Sequence, residues 1–254
     1  MASLEAPSSE TTARAIAGNP QGHFLWRADA LAGIVGPFQD RQPSVRLTLD
    51  DPLSGRRLWT RYLYDDMRQS DVVIERQADR LYVLIDGQRL RCFDALTGAE
   101  SWSAPLELLK PEQPGALADM VATESIGDDG EACIYAVCGG IVRGFEASSQ
   151  RLAWELDLAE QQAHRLLPWR IERRGELLVV YPGRLHAPGE FRFAYVDPAA
   201  GQLIYRSQPF AAGSGDVRLE FLDQRVRVQA GDKQCLLASR TAAADVGVTL
   251  NEKE

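Results

Sequence analysis

The sequence has no excess of basic charge, no long apolar run and no close pair of cysteines. Lys and Arg together number 28 against 36 Asp and Glu, a net charge of −8. Nucleic-acid binding as the main task needs a basic face for phosphate contacts, and this balance does not supply one. No run of about 18 apolar residues occurs, so no membrane span is encoded. The first 22 residues, MASLEAPSSETTARAIAGNPQG, have neither the basic nor the apolar segment of a secretory signal. Residues 1–22 are therefore read as a flexible lead and the polar residues 241–254 as a tail, leaving 23–240 as the folded domain. The compartment stays open: cytoplasmic if residue 1 is the biological start, extracytoplasmic if the chain is a piece of a longer protein.

Cys92, Cys133, Cys138 and Cys235 are the four cysteines, with no CxxC and no Cys/His zinc spacing among them. Cys133 and Cys138 stand at an odd offset in CIYAVC, which reads as one strand. They should face opposite sides of a sheet, unable to bond to each other or share a metal. Buried, reduced thiols are expected. The three histidines, His23, His164 and His186, fall in different parts of the chain. The acidic GDDGE at 127–131 lacks the spacing of a calcium loop and reads as a tight turn. No nucleophile elbow, phosphate loop or dinucleotide fingerprint is present. No catalytic, cofactor-binding or metal-binding residue is assigned, and no cofactor is expected.

Helical periodicity is scarce too, the best stretch being DLAEQQAHRLL at 157–167. What the chain has instead is strand alternation: RLYVLID, ACIYAVC, ELLVVY, FRFAYVD, RVRVQA. Within that pattern one frame recurs four times. DPLSGRRLW runs Asp51 to Trp59, DALTGAESW runs Asp94 to Trp102, EASSQRLAW runs Glu146 to Trp154, and DPAAGQLIY runs Asp197 to Tyr205. An acid opens each frame, a small residue or proline follows, and an aromatic closes it. The aromatics are 43, 52 and 51 residues apart. Short strands repeated every 40–50 residues are the signature of a β-propeller.

The chemistry of the frame is that of a hairpin corner. The carboxylate at its start can accept backbone N–H groups of the turn. Gly55, Gly98 and Gly201 stand where such a turn needs a positive φ, and Gln150 takes that place in the third copy. That third turn should be strained or differently shaped. The outgoing strand then delivers a large ring, placed to wedge against the neighbouring blade.

With these residues the sequence resembles the quinoprotein-like propeller repeats, also called pyrroloquinoline-quinone-binding-like repeats. LRCFDALTGAESWSAPL matches their pattern closely and VRGFEASSQRLAWELDL more loosely. The resemblance spans roughly 23–240 and implies that Trp59, Trp102, Trp154 and Tyr205 dock one blade on the next. HFLWRADAL at 23–31 looks like another outermost strand, adding Trp26 to that ladder. DVRLEFLDQRVRVQAGDKQCLLAS near the other end supplies about three strands without a Trp-bearing fourth. The expected fold is therefore all-β, a propeller of about five four-stranded blades whose two ends could complete one blade together. A partial ring, cut from a larger propeller, is the alternative.

The resemblance has two functional branches. Its enzymes hold a quinone and a metal ion with Glu, Asn and Asp beside a catalytic Asp. Here the only asparagines are Asn19 and Asn251, both in polar tails. The other branch is a non-enzymatic scaffold, whose lipoprotein members carry a lipobox cysteine that this N-terminus lacks. The expectation is a non-catalytic scaffold for another protein, with no nucleic-acid partner. The alternative is part of an enzyme or sensor whose active site other blades or subunits complete.

Overall fold

The computed structural model describes residues 13–15, 24–31, 44–64, 71–106, 117–124, 132–160, 162–222 and 225–238. His23, the GDDGE stretch, most of the N-terminal lead and the C-terminal tail lie outside them. The described residues form five four-stranded antiparallel sheets and one two-stranded ribbon. Blade 1 contains β1 (Ala13–Ala15), β2 (Leu25–Ala30), β3 (Val45–Asp51) and β4 (Arg56–Leu63). Blade 2 contains β5 (Val72–Gln77), β6 (Arg80–Ile85), β7 (Arg89–Asp94) and β8 (Glu100–Pro105). Blade 3 contains β9 (Asp119–Glu124), β10 (Ala132–Cys138), β11 (Ile141–Glu146) and β12 (Arg151–Asp157).

Blade 4 is interrupted. Its strands are β13 (Trp169–Arg174), β14 (Leu177–Pro182), β17 (Ala194–Val196) and β18 (Leu203–Arg206). Between β14 and β17 the chain makes an excursion containing β15 (Arg184–Leu185) and β16 (Gly189–Phe191). β16 pairs with β19 (Phe210–Ala212) as the ribbon. Blade 5 is β15, β20 (Gly215–Leu222), β21 (Arg225–Ala230) and β22 (Lys233–Ala238), in that order across the sheet. AAGSGD, which reads as an interblade linker, is thus largely strand, ending β19 and opening β20. The helix expected over 157–167 reduces to a 3₁₀ turn, Gln162–Leu166.

The ends do not make a shared blade. The strand bearing Trp26 pairs with β1 and β3, from Leu25 opposite Asp50 to Ala30 opposite Val45. It is the second strand of blade 1 and not an outermost one. At the other end, β20–β22 take their fourth strand from the blade 4 excursion, Arg184 lying opposite Asp216. Sequence pattern misplaced the Trp26 strand because an aromatic flanked by alternating residues looks alike in either position.

The core lies between the blades. Four buried apolar clusters are formed, and each joins consecutive sheets: 1 with 2, 2 with 3, 3 with 4, 4 with 5. Strand alternation produces this directly, because a sheet packed on both sides sends odd and even residues to different neighbours. Cys138 is buried with the blade 2–3 cluster, while Cys133 packs on the blade 3–4 cluster, so the two thiols do face opposite sides. Val72, Ile74 and Ile171 on the innermost strands are likewise absorbed into these interblade cores. Near the start of the inner strands carboxylates bridge outward: Asp71 accepts the Ala118 N–H at 2.6 Å, and Asp119 accepts that of Ile171 at 3.2 Å.

Candidate functional site: the repeat turns and their aromatics

Three of the four repeated turns share one construction, and the turn opened by Glu146 departs from it in how its carboxylate is bonded. Asp94 Oδ1 accepts the N–H groups of Leu96 and Thr97 at 3.1 and 2.7 Å and the Thr97 hydroxyl at 2.8 Å. Those bonds, chiefly to Thr97, hold the Asp94 carboxyl below its ordinary pKa. Asp51 accepts from Leu53 N–H at 3.0 Å and the Ser54 hydroxyl at 2.6 Å, and Asp197 from Ala199 N–H at 2.8 Å. Glu146 carries one more methylene; its carboxylate instead takes the Ser149 hydroxyl at 2.8 Å. Gly55, Gly98 and Gly201 have φ of 66°, 65° and 66°, and Gln150 adopts 54°. The third turn is therefore not reshaped: a side chain is held in the conformation that glycine occupies elsewhere, at a strain of about 1–3 kcal/mol.

A second device is hidden in the strand register. Every repeated hairpin carries a bulge one residue before its aromatic. Cys92 faces Trp102 while Phe93 faces Glu100, leaving Ser101 as the extra residue. Leu58, Ala153 and Ile204 are the extra residues ahead of Trp59, Trp154 and Tyr205. Side chains alternate along a strand, so one inserted residue moves the ring to the other face. Without the bulge, Ser101 would face Cys92 and Trp102 would stand opposite Arg91, on the face that Phe93 turns to blade 1. With it, Trp102 joins Cys92 on the face towards blade 3. The acid-to-aromatic spacing of the frame encodes this shift, although the spacing alone does not reveal that a bulge produces it.

The rings then meet the next blade's turn. An added Cβ on Gly98 would lie 2.8 Å from the Trp59 ring, and one on Gly201 would lie 2.4 Å from the Trp154 ring. Trp154 Nε1 also donates to the Pro198 carbonyl of the same turn at 2.8 Å. Trp102, whose neighbouring turn carries Gln150, rests on Phe145 with ring centres 5.8 Å apart. Tyr205 touches Phe193 and Tyr195 of its own blade and packs on the blade 4–5 cluster.

Trp26 reaches the same kind of place by a different route. Its ring is buried, and Nε1 donates to the Ala95 carbonyl of blade 2 at 2.8 Å. Ala95 follows Asp94 as Pro198 follows Asp197, so Trp26 takes at this turn the acceptor that Trp154 takes at its own. Trp59, which sits over the same turn, is left with a buried Nε1 that has no hydrogen-bond partner among the described residues. Arg61 completes the arrangement, donating to the Gly98 carbonyl at 2.9 Å and to that of Thr97 at 3.2 Å. Arg76 of blade 2 covers the Trp26 ring from 4.6 Å. Sequence reasoning missed Arg61 and Arg76, because arginine in an exposed-looking strand carries no signal of a carbonyl or ring across a blade boundary.

Among the described residues, no group of three or more His, Cys, Asp or Glu is placed to hold a metal ion. His164 and His186 nevertheless come to one cavity, beside the blade 4 excursion. No helix among the described residues is long and apolar enough to cross a membrane.

Five four-stranded antiparallel sheets packed through interblade cores define a β-propeller. Similarity to known proteins agrees with this class. The family described as outer membrane protein assembly factor BamB matches residues 11–247, so this chain belongs to that family, one of quinoprotein-like propeller repeats. No curated protein matches the sequence. Among solved structures, BamB from Moraxella catarrhalis is 11% identical with a TM-score of 0.48, over 87% of this chain and 71% of that one. The Pan2 WD40 domain from Neurospora crassa is also 11% identical, with a TM-score of 0.52, over 85% of this chain and 55% of that one. The chain thus spans little more than half the length of that WD40 domain.

Proposed function

We propose that this chain is a non-catalytic propeller scaffold that presents one loop face to a protein partner, with Trp26, Trp59, Trp102, Trp154 and Tyr205 fastening blade to blade. The supporting observation is the contrast between its two faces. On one, the acids and glycines of the frame are engaged in turns, three of them built alike. In that state Asp51, Asp94 and Asp197 serve as acceptors for their own backbone, which suits a scaffold better than acid–base chemistry. On the other face the connections differ from blade to blade. Blades 2 and 3 turn through residues 86–88 and 139–140, whereas blade 4 uses 183–193, and a 3₁₀ turn precedes its first strand. Irregular loops on a regular, rigid frame are where recognition is carried in such folds. The family's description as an assembly factor supports the same reading.

The test is affinity isolation of the native protein from its own cells, followed by replacement of the exposed tip 186–190 with a Gly-Ser linker of equal length, which leaves β15, Leu185 and Phe193 in place. A stoichiometric protein partner retained by the native chain and lost from the variant is expected. A bound chromophore after addition of pyrroloquinoline quinone and calcium, with no partner retained, would overturn the reading in favour of a quinoprotein-like enzyme.

A further inference from the structure

The irregular face also encloses space. A cavity of about 420 Å³ lies between the 3₁₀ turn, the ends of β13 and β14, the start of β17 and the blade 4 excursion. It is no by-product of propeller packing, since its outer wall is the excursion that the described hairpins of blades 2 and 3 lack. Its volume falls within the range of about 300–1,000 Å³ usual for small-molecule sites.

The walls are apolar: Leu158, Leu167, Trp169, Val180, Leu185 and Phe193. The charges sit among them in an uneven arrangement. Glu160 is held tightly by Arg206, while Arg192 reaches the same carboxylate oxygen only at 3.4 Å. Arg206 thus compensates Glu160. Arg192, with five N–H donors and about a third of its side chain exposed, has that one long contact as its ion pair among the described residues. Glu190 is the remaining acid of the lining and is exposed to water, where its influence is screened. His164 and His186 also border the space.

We propose that this cavity binds a small amphipathic anion, an acyl or aryl chain in the apolar pocket with a single carboxylate on Arg192. A planar guanidinium matches a carboxylate through two parallel hydrogen bonds, and the surrounding rings and aliphatic walls exclude water from the chain. This site is separate from the repeat turns, and it does not depend on the protein-docking reading. A chain lacking any protein partner could still fill it.

Calorimetric titration with decanoate, decanol and decyltrimethylammonium tests the assignment, because the three share a tail and differ in head charge. Decanoate should bind one to one and at least tenfold more tightly than either of the others. Arg192→Gln should abolish that preference while leaving decanol binding and the melting temperature unchanged. Ala194→Leu, which adds volume at a buried lining position, should weaken both decanoate and decanol. Equal binding of decanoate and decanol would overturn the proposal, as would a preference that survives Arg192→Gln. Absence of saturable binding at millimolar concentration, or binding of many molecules per chain, would overturn it as well.

Discussion

Gly201 lies directly under the Trp154 ring: a Cβ built on the glycine would come 2.4 Å from Trp154 Cδ2, across the boundary between blades 3 and 4. The glycine has two reasons to be glycine, a φ of +66° and the ring above it. Gly55 has the same φ, and among the described residues nothing lies within 4 Å of the added atom. Comparing the two separates backbone strain from docking. Gly55→Ala should cost about 1 kcal/mol, the ordinary penalty of a left-handed alanine. Gly201→Ala should cost about 1–3 kcal/mol more, because backbone or ring must move. Urea midpoints of the two variants check this.

Gln150 is the converse case. It holds a left-handed φ of 54° with a side chain present. Gln150→Gly should stabilise the protein by about 0.5–1 kcal/mol, the relief of strain minus the entropy of a more flexible unfolded chain. A raised melting temperature is the expected result.

Trp26 and Trp59 sit over one turn yet should respond differently to loss of the indole N–H. Trp26→Phe removes a 2.8 Å bond and leaves the Ala95 carbonyl without it, at a cost of about 1–3 kcal/mol. Trp59 Nε1 has no partner to lose among the described residues. Trp59→Phe should cost less than Trp26→Phe, by about 1 kcal/mol or more, in the same denaturation assay.

The frame of acid, turn and aromatic was legible in the sequence because its chemistry is local. Asp94 with Thr97, and the left-handed Gly98, are all contained in one hairpin. Four blades followed from the recurrence of that frame, whereas the fifth was expected from the two ends together and is instead completed by β15. The partners of Trp26 were not legible, since its strand lies second in blade 1 and its acceptor is 69 residues away. Nor was the fourth strand of blade 5, a two-residue piece drawn from inside blade 4. Such a short pairing has no alternation to read. The cavity was invisible for the same reason, since it arises where two irregular connections meet.

Burial pushes the Cys92 thiol up to about 11 and that of Cys138 up to about 12. Both should remain unmodified by an aromatic disulfide reagent at about pH 8 in native buffer and react fully in denaturant. Rapid native labelling of either would show that the interblade cores open.

Alkali should loosen the fold. Burial raises the phenol of Tyr82 from 10.0 to about 12 and moves those of Tyr135 and Tyr181 in the same direction. An acid whose pKa is higher in the folded state stays protonated there while the unfolded chain loses its proton. Stability should therefore be constant below the unfolded value near 10 and fall as pH rises from there towards the folded values. Urea midpoints at about pH 8 and about pH 11, alongside phenolate absorbance, measure the change. A midpoint that does not fall between them would contradict it.

A double-mutant cycle on Trp154 and Gly201 measures whether a frame aromatic holds its blade to the turn of the next. Gly201→Ala should be costly in the native background and fall to the cost of Gly55→Ala, about 1 kcal/mol, once Trp154→Leu has removed the indole. The same cost in both backgrounds would show that ring and turn are not coupled, and would contradict the account.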